Sequence, residues 1–154
     1  GYDGSAGLQI RHWSRDLPPL AEGDRVHVEG KMTAVSQEIV MNVRDVVRLG
    51  GGEPSSPTVL PTGQVGGWWE GSLVRISGTV QRWDSDDIYL DDGSGLAQVR
   101  LRDSTQIVPP KLSKGQYLTV QGVVSQSNGS FRLLPRYQSD LSLLPGVLPK
   151  KGEL

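Results

Sequence analysis

The chain has 154 residues, of which 36% are hydrophobic, with 20 glycines, 10 prolines, no cysteine and a formal net charge of −1. The lack of cysteine excludes disulfides, zinc–thiolate centres and thiol catalysis, and no apolar run approaches the length of a membrane-spanning helix. Because the net charge is close to zero, a surface for an anionic ligand must come from local clustering of Arg and Lys.

The start of the chain is repeated later in the sequence. Within residues 2–13 (YDGSAGLQIRHW), Asp3-Gly4-Ser5 and Gln9-Ile10-Arg11 match Asp92-Gly93-Ser94 and Gln98-Val99-Arg100 of 90–101 (LDDGSGLAQVRL) at an offset of 89. Within 22–32 (EGDRVHVEGKM), Gly23, Val28 and Gly30 match Gly115, Val120 and Gly122 of 113–124 (SKGQYLTVQGVV) at an offset of 92. The order is kept and the gaps are small, which indicates a duplicated domain. The sequence therefore predicts two copies, the first within residues 1–49. Since the chain begins with Gly1 and has no signal-peptide pattern, we expect it to be a piece of a longer product.

A stretch rich in Gly, Pro and Ser separates the two copies. It covers residues 50–67 and has the composition of a linker. Trp68 and Trp69 follow it, directly before the second copy. Two readings of this pair are open, a hydrophobic plug that closes one end of the domain and a stacking surface for a ligand. We favour the plug, since buried Trp supplies a large packing area.

The second copy consists of five short runs that alternate between apolar and polar residues. The first run, from Val74 to Val80, predicts a half-buried strand. The turns DSDD at 84–87 and DDGSG at 91–95 divide three strands into a meander. A Pro-containing connection then leads to a hairpin whose turn contains Asn128-Gly129. A three-stranded meander followed by a hairpin is the pattern of the OB-fold, a five-stranded Greek-key barrel.

These runs predict an all-β protein with a tandem OB-fold. We expect a complete second barrel over residues 68–145 and a short tail over 146–154. The first copy lacks its first strand and most of its second, so it is expected to be incomplete at its N-terminus and to have an open sheet edge. We expect another chain to complete it, as a homodimer or by strand exchange, or the sheet to pack on the second copy.

Four segments resemble a known family. They are WEGSLVRISGTV, IYLDDGSGLAQVRL, KLSKGQYLTVQGVV and FRLLPR, which begin at residues 69, 88, 111 and 131. Together they resemble the OB-fold accessory domains of large secreted bacterial nucleases and the similar modules beside lamin-tail domains in bacterial extracellular proteins. The resemblance covers 69–145 fully and 2–49 for the downstream strands. The second copy reads DGSGLA where the family usually has a second glycine. The resemblance implies a role in binding or positioning nucleic acid beside a nuclease domain, and it places no catalytic residue in this chain.

OB barrels usually bind their ligands on the outward face of strands two and three, so we expect the site of this chain there. Aromatic rings there would stack on bases and guanidiniums would pair with phosphates, as single-stranded nucleic acid requires. The candidate residues are Gln9, Arg11, Trp13, Arg75, Tyr89, Gln98, Arg100, Arg102, Arg132 and Arg136. The alternative is that they form only the solvated side of an alternating sheet.

The sequence gives less support for a catalytic site or a metal-binding site. The aspartates between 84 and 92 invite a calcium interpretation, but their spacing fits no EF-hand loop, and Asp, Ser and Gly are ordinary turn residues. The chain has no nucleophile elbow, P-loop or dinucleotide fingerprint. We therefore expect no cofactor, no metal and no enzymatic activity.

Two functions follow from this sequence. The first is a non-catalytic module that binds single-stranded DNA or RNA within a larger bacterial protein, located outside the cell or in the cell envelope. The second is a protein-interaction or spacer module of a secreted or cell-surface protein, since an OB barrel accepts many kinds of partner.

Overall fold

The computed structural model describes residues 6–12 and 17–144, which are all-β with four short 3-10 turns. The strands are Gln9–His12 (β1), Arg25–Val35 (β2), Glu38–Gly50 (β3), Thr58–Val59 (β4), Leu73–Trp83 (β5), Asp87–Asp91 (β6), Leu96–Arg100 (β7), Tyr117–Ser127 (β8), Ser130–Leu134 (β9) and Leu141–Leu143 (β10). Within the described ranges, no helix has the length and apolar character needed to cross a membrane.

Strands β5 to β9 close into a five-stranded barrel. The antiparallel meander β5-β6-β7 continues to β9, which runs parallel to β7, then to β8, which is antiparallel to β9 and to β5. This ring has the strand order of an OB-fold, so the predicted OB-fold is confirmed for the second half of the chain. β4 extends β5, and β10 extends β8.

The core fills the inside of this barrel with alternate residues of each strand, as a period of two requires. The hydrophobic residues of β5 to β9 with at most 2% exposure are Val74, Ile76, Val80, Ile88, Leu90, Ala97, Val99, Leu118, Val120, Val124 and Leu133. Gly78 lies where β5 passes from pairing with β8 to pairing with β6. A Cβ at this position would approach the carbonyl carbon of Asp91 to 2.9 Å, which explains the glycine in an otherwise regular strand.

The stretch 50–67 packs against the barrel along its second half. Leu60 is buried in the core, and Thr62 is 1% exposed. The Thr62 hydroxyl lies 2.6 Å from the Gly95 carbonyl oxygen and accepts from the Asp92 N–H at 3.0 Å. Composition alone suggests a linker here, but these contacts attach the segment to the turn between β6 and β7. Beyond it, Trp69 packs on the core as the plug interpretation expects, whereas Trp68 is 90% exposed and plugs nothing.

The first part of the chain forms a three-stranded sheet in the order β1-β3-β2. β1 runs parallel to β3, and β2 is antiparallel to β3, as β7 and β8 run relative to β9. The registers also agree at the two offsets of the sequence repeat. Met32 opposes Met41 as Val124 opposes Leu133, and Ile10 stands beside Met41 as Val99 stands beside Leu133.

The two hairpin turns of the repeat have the same backbone shape. Ser36 and Gln37 join β2 to β3 with φ angles of 49° and 68°, and Asn128 and Gly129 join β8 to β9 with 50° and 81°. Two successive residues with positive φ form the turn that matches the twist of a two-residue hairpin. The sequence signals this turn only in the second copy, since Ser-Gln is not a typical pair for it.

The sheet contacts the barrel through this turn. The Asn128 N–H donates to the Ser36 carbonyl oxygen at 2.9 Å, and the Ser125 hydroxyl donates to Glu38 Oε1 at 3.0 Å. Glu38 and Ser125 are 9% and 2% exposed, so this hydrogen bond is sheltered from water. The sheet therefore lies beside the β8–β9 end of the barrel.

Candidate functional site

Five of the predicted residues lie together on the outside of the barrel. Tyr89 opposes Gln98, and Arg100 follows on the same side of β7, because the alternate residues Ile88, Leu90 and Val99 are buried inside. β9 runs beside β7, with the buried Leu133 next to the buried Val99. Arg132 therefore lies on the same outer side as Gln98 and Arg100, and the charge of Arg102 acts on it. We call this surface the arginine face; it consists of Tyr89, Gln98, Arg100, Arg102 and Arg132.

Asp87 fixes two side chains of the arginine face. Gln98 Nε2 donates to Asp87 Oδ1 at 2.8 Å, and Arg100 Nη1 forms an ion pair with Asp87 Oδ2. Asp87 is 7% exposed, so these bonds are partly protected from solvent. The carboxylate neutralises one of the three guanidiniums and orients it. The cations of Arg102 and Arg132 remain for an external anion.

Arg132 has a buried donor, its Nε atom, that is not hydrogen-bonded within the described residues. Burial lowers the pKa of Arg132, and the positive charges of Arg102 and Arg100 lower it further. An unpaired buried donor on a cation is costly, and a bound anion would offset that cost.

Tyr89 has a cationic neighbour that strand alternation does not reveal. The guanidinium carbon of Arg82 lies 3.9 Å from the centroid of the Tyr89 ring, a cation–π contact. A bulge at Gln81 in β5 shifts the register so that Arg82 opposes Tyr89. Sequence reasoning missed Arg82, and the alternating pattern holds no signal for this bulge.

Two predicted arginines lie elsewhere on the barrel and are already bonded. Arg75 is on β5 where β5 pairs with β4 and β8, and its Nη2 donates to Gln121 Oε1 at 3.0 Å. Arg136 forms ion pairs with Asp140 at 3.1 Å and with Glu22 at 2.6 Å. Neither residue belongs to the arginine face.

Of the candidates from the first copy, Gln9 and Arg11 lie on β1 of the three-stranded sheet. Gln9 lines a cleft of about 650 Å³ between the sheet and the barrel, and Arg102 lines its other side. Arg11, on β1, pairs with Asn42 on β3. Trp13 lies outside the described residues, so its predicted role stays a prediction.

Three of the acidic residues between 84 and 92, Asp84, Asp91 and Asp92, accept hydrogen bonds within turns. Asp84 Oδ1 accepts from the N–H groups of Asp86 and Asp87 at 3.0 and 2.9 Å, and Asp91 Oδ1 accepts from the Gly93 N–H at 2.7 Å. Within residues 6–12 and 17–144, no group of three His, Asp or Glu side chains is arranged to hold a metal ion. These bonds are the Asx turns that such sequences favour.

Asp92 makes stability depend on pH. Its carboxylate accepts from the side chain and N–H of Ser94 and from those of Thr62, and these bonds hold the pKa of Asp92 well below its usual range. Because the pKa of Asp92 is lower in the folded state, its ionised carboxylate stabilises the fold fully above the unfolded-state pKa of about 3.9. This stabilisation is lost as the pH falls from there through the folded-state pKa. We expect Asp92→Asn to lower the melting temperature at pH 7, with the deficit shrinking below about pH 4.

Thermal unfolding followed by circular dichroism across this pH range measures the effect. The matched control is Asp103→Asn, a change of the same type at an exposed position of the barrel. A deficit for Asp92→Asn that stays constant down to low pH would contradict the assignment.

Comparisons with known proteins show that this chain is similar in fold to several solved structures. No family model matches the chain, and no curated protein sequence matches it. Among solved structures, it is similar to a chain of the S. pombe Stn1–Ten1 complex, with 18% identity, a TM-score of 0.45 and coverage of 61% of this chain and 82% of that one. It is also similar to the telomere capping protein Ten1 from Schizosaccharomyces pombe, with 21% identity, a TM-score of 0.43 and coverage of 60% and 86%.

A third similar structure is the OBody AM1L10 bound to hen egg-white lysozyme. It has 19% identity and a TM-score of 0.45, and the match covers 60% of this chain and 98% of the OBody. At these identities and TM-scores the resemblance carries no information about a ligand.

Proposed function

We propose that the barrel binds single-stranded nucleic acid on the arginine face and performs no catalysis. The observation that carries this proposal is the convergence of Arg100, Arg102 and Arg132, with the Nε of Arg132 buried and unbonded. Asp87 balances the charge of Arg100, and the positive charges of Arg102 and Arg132 repel each other unless a further anion binds between them. A phosphodiester oxygen is an acceptor of the right charge, and guanidinium–phosphate pairs are strong and directional.

Tyr89 supplies the second element of the interface. One face of its ring is covered by the Arg82 guanidinium. A base that stacks on the half-buried ring would lie beside the phosphate held by Arg102 and Arg132. Base–aromatic stacking contributes about 1–3 kcal/mol per base and tolerates any sequence. The proposal is therefore a sequence-tolerant clamp for a short single strand.

Acidic neighbours limit the affinity. Asp87 neutralises Arg100, and the charges of Glu38 and Asp87 both act on Arg132. With two or three effective phosphate contacts, the slope of log K against log salt should lie at about −1.4 to −2, because each contact with a single strand contributes about −0.7. We expect weak binding that salt suppresses.

A fluorescence-anisotropy titration of the whole chain with a labelled oligothymidylate tests this function. It is performed at about 50 mM and about 200 mM salt. Saturable binding at the lower salt that weakens several-fold at the higher salt is the expected result. Binding that is absent at low salt, or unaffected by salt, would exclude the arginine face as a phosphate site.

The sequence repeat supports an inference about the larger protein in which this barrel occurs. The identical registers of β2–β3 and β8–β9 support the inference that the three-stranded sheet is the second half of another OB barrel. With the sequence resemblance, we infer tandem OB modules beside a nuclease domain in a larger bacterial protein, outside the cell or in its envelope. A second candidate function, protein interaction, is favoured by the unpartnered edge of β2 in the described sheet.

A further inference from the structure

The cleft between the sheet and the barrel has an apolar lining. Its volume of about 650 Å³ lies within the range of about 300–1,000 Å³ that is usual for small-molecule sites. On the outer wall of the barrel, Leu73, Val123 and Leu134 form one row across β5, β8 and β9 and line the cleft. Ile10 of β1 lines it from the side of the sheet. Outward strand positions are usually polar where they meet water, so this aliphatic row is typical of a surface that a ligand covers.

The cleft also holds a buried hydrogen-bond acceptor. Glu38 and Ser125 both line it and are 9% and 2% exposed. The Ser125 hydroxyl, at 3.0 Å from Glu38 Oε1, supplies the one hydrogen bond that this carboxylate accepts from the described residues. An ionised carboxylate has about four lone-pair sites. Glu38 therefore retains acceptor capacity for a ligand that brings N–H donors into the cleft.

The cleft adjoins the arginine face at two points. Arg102 belongs to the face and also lines the cleft, and it forms no ion pair within the described residues. Ser125, in the wall of the cleft, opposes Arg132 in the register of β8 and β9, and the charge of Glu38 acts on Arg132. A nucleotide whose phosphate is bound by Arg102 can therefore place its base in the cleft.

We propose that the cleft binds one base of the strand held on the arginine face, and that it prefers guanine. This inference rests on the proposed function and adds to it a subsite with base specificity. The aliphatic row packs against the base, and the Glu38 carboxylate accepts hydrogen bonds from its edge. Guanine has two neighbouring N–H donors on its Watson–Crick edge, whereas adenine, cytosine and thymine each place an acceptor beside their donor. A carboxylate only accepts hydrogen bonds, so it pairs well with guanine and poorly with the other three bases.

Guanosine 5′-monophosphate, titrated into the nitrogen-15-labelled whole chain, is the probe. We expect saturable shifts of the backbone amide signals of Ile10, Thr105 and Val123, which line the cleft. Thymidine 5′-monophosphate should bind about tenfold more weakly, because a bidentate pair discriminates between bases by at least this factor. Glu38→Gln should abolish the preference, because its amide places a donor where guanine requires an acceptor. The matched control is Glu29→Gln, the same change at an exposed position of β2 outside the cleft, which should retain the preference.

A second variant serves if Glu38→Gln disturbs the fold. Val123→Phe fills the cleft and should weaken the binding of guanosine monophosphate about tenfold or more. Its matched control, Val108→Phe, lies at a 70% exposed position outside the cleft and should bind like the wild type. Equal affinity for the two nucleotides, or shifts confined to Tyr89 and Gln98, would overturn the guanine subsite and leave the arginine face in place. Cleft shifts with guanosine monophosphate in a chain that does not bind oligothymidylate would retain the subsite and overturn the arginine face.

Discussion

Arg132→Met weakens the binding of single-stranded oligonucleotide about tenfold, and the chain melts at the same or a higher temperature. A charge-assisted hydrogen bond contributes about 1.5–3 kcal/mol, and about 1.4 kcal/mol corresponds to a factor of ten. The stability expectation follows from the buried Nε of Arg132, which has no partner among the described residues. Methionine removes that unsatisfied donor and fills similar space.

Salt dependence adds a second readout for this variant. Losing one phosphate contact should make the slope of log K against log salt shallower by about 0.7. The matched control is Arg75→Met, which removes the same charge from β5, where Arg75 bonds to Gln121. It should change affinity less than about twofold, since only long-range screened charge is lost. Equal losses for both variants would mean that net charge, and not the arginine face, holds the ligand.

Leu133→Ala lowers the free energy of unfolding by about 2–5 kcal/mol, as is usual for a large aliphatic side chain removed from a packed core. Leu133 is 0% exposed and is paired with Val99 and Val124 across two strand seams. The closed cylinder leaves its neighbours little freedom to move into the cavity. Urea unfolding followed by tryptophan fluorescence measures the loss.

Met41→Ala is the internal control for the core prediction. Met41 occupies the same register position in the open sheet and is half-buried. Its truncation should cost about 1 kcal/mol or less, because solvent already reaches this face and no closed cavity forms. If Met41→Ala costs as much as Leu133→Ala, Met41 is packed as tightly in solution as Leu133, contrary to its half-buried position.

Much of the barrel could be predicted from the sequence because strand formation leaves a local signal. The alternation from Val74 to Val80 is confirmed, since Val74, Ile76 and Val80 are buried. The predicted hairpin turn at Asn128-Gly129 is also confirmed, between β8 and β9. Each of these features depends on a residue and its near neighbours along the chain.

The site was predicted only in part. Strand alternation shows which side chains face outward, but it does not show on which side of the barrel they lie. Arg75 and Arg132 have the same outward parity, yet Arg132 joins Arg100 and Arg102 while Arg75 lies by Gln121. The approach of Arg82 to Tyr89 depends on a bulge with no local signature. The burial of Thr62 depends on a bond to Asp92, thirty residues away.

The sequence by itself determined the strands of the barrel and the turn at Asn128-Gly129, since these follow from side-chain period and glycine placement. Only the tertiary structure decided which cations lie together, which of them Asp87 neutralises, and that Met32 and Ile39 of the first sheet are exposed whereas Val43 and Val46 are buried. Barrel closure brings β7 and β9 side by side across more than thirty residues of chain. Electrostatic clustering and exposure follow from such long-range pairings, for which strand alternation carries no local signal.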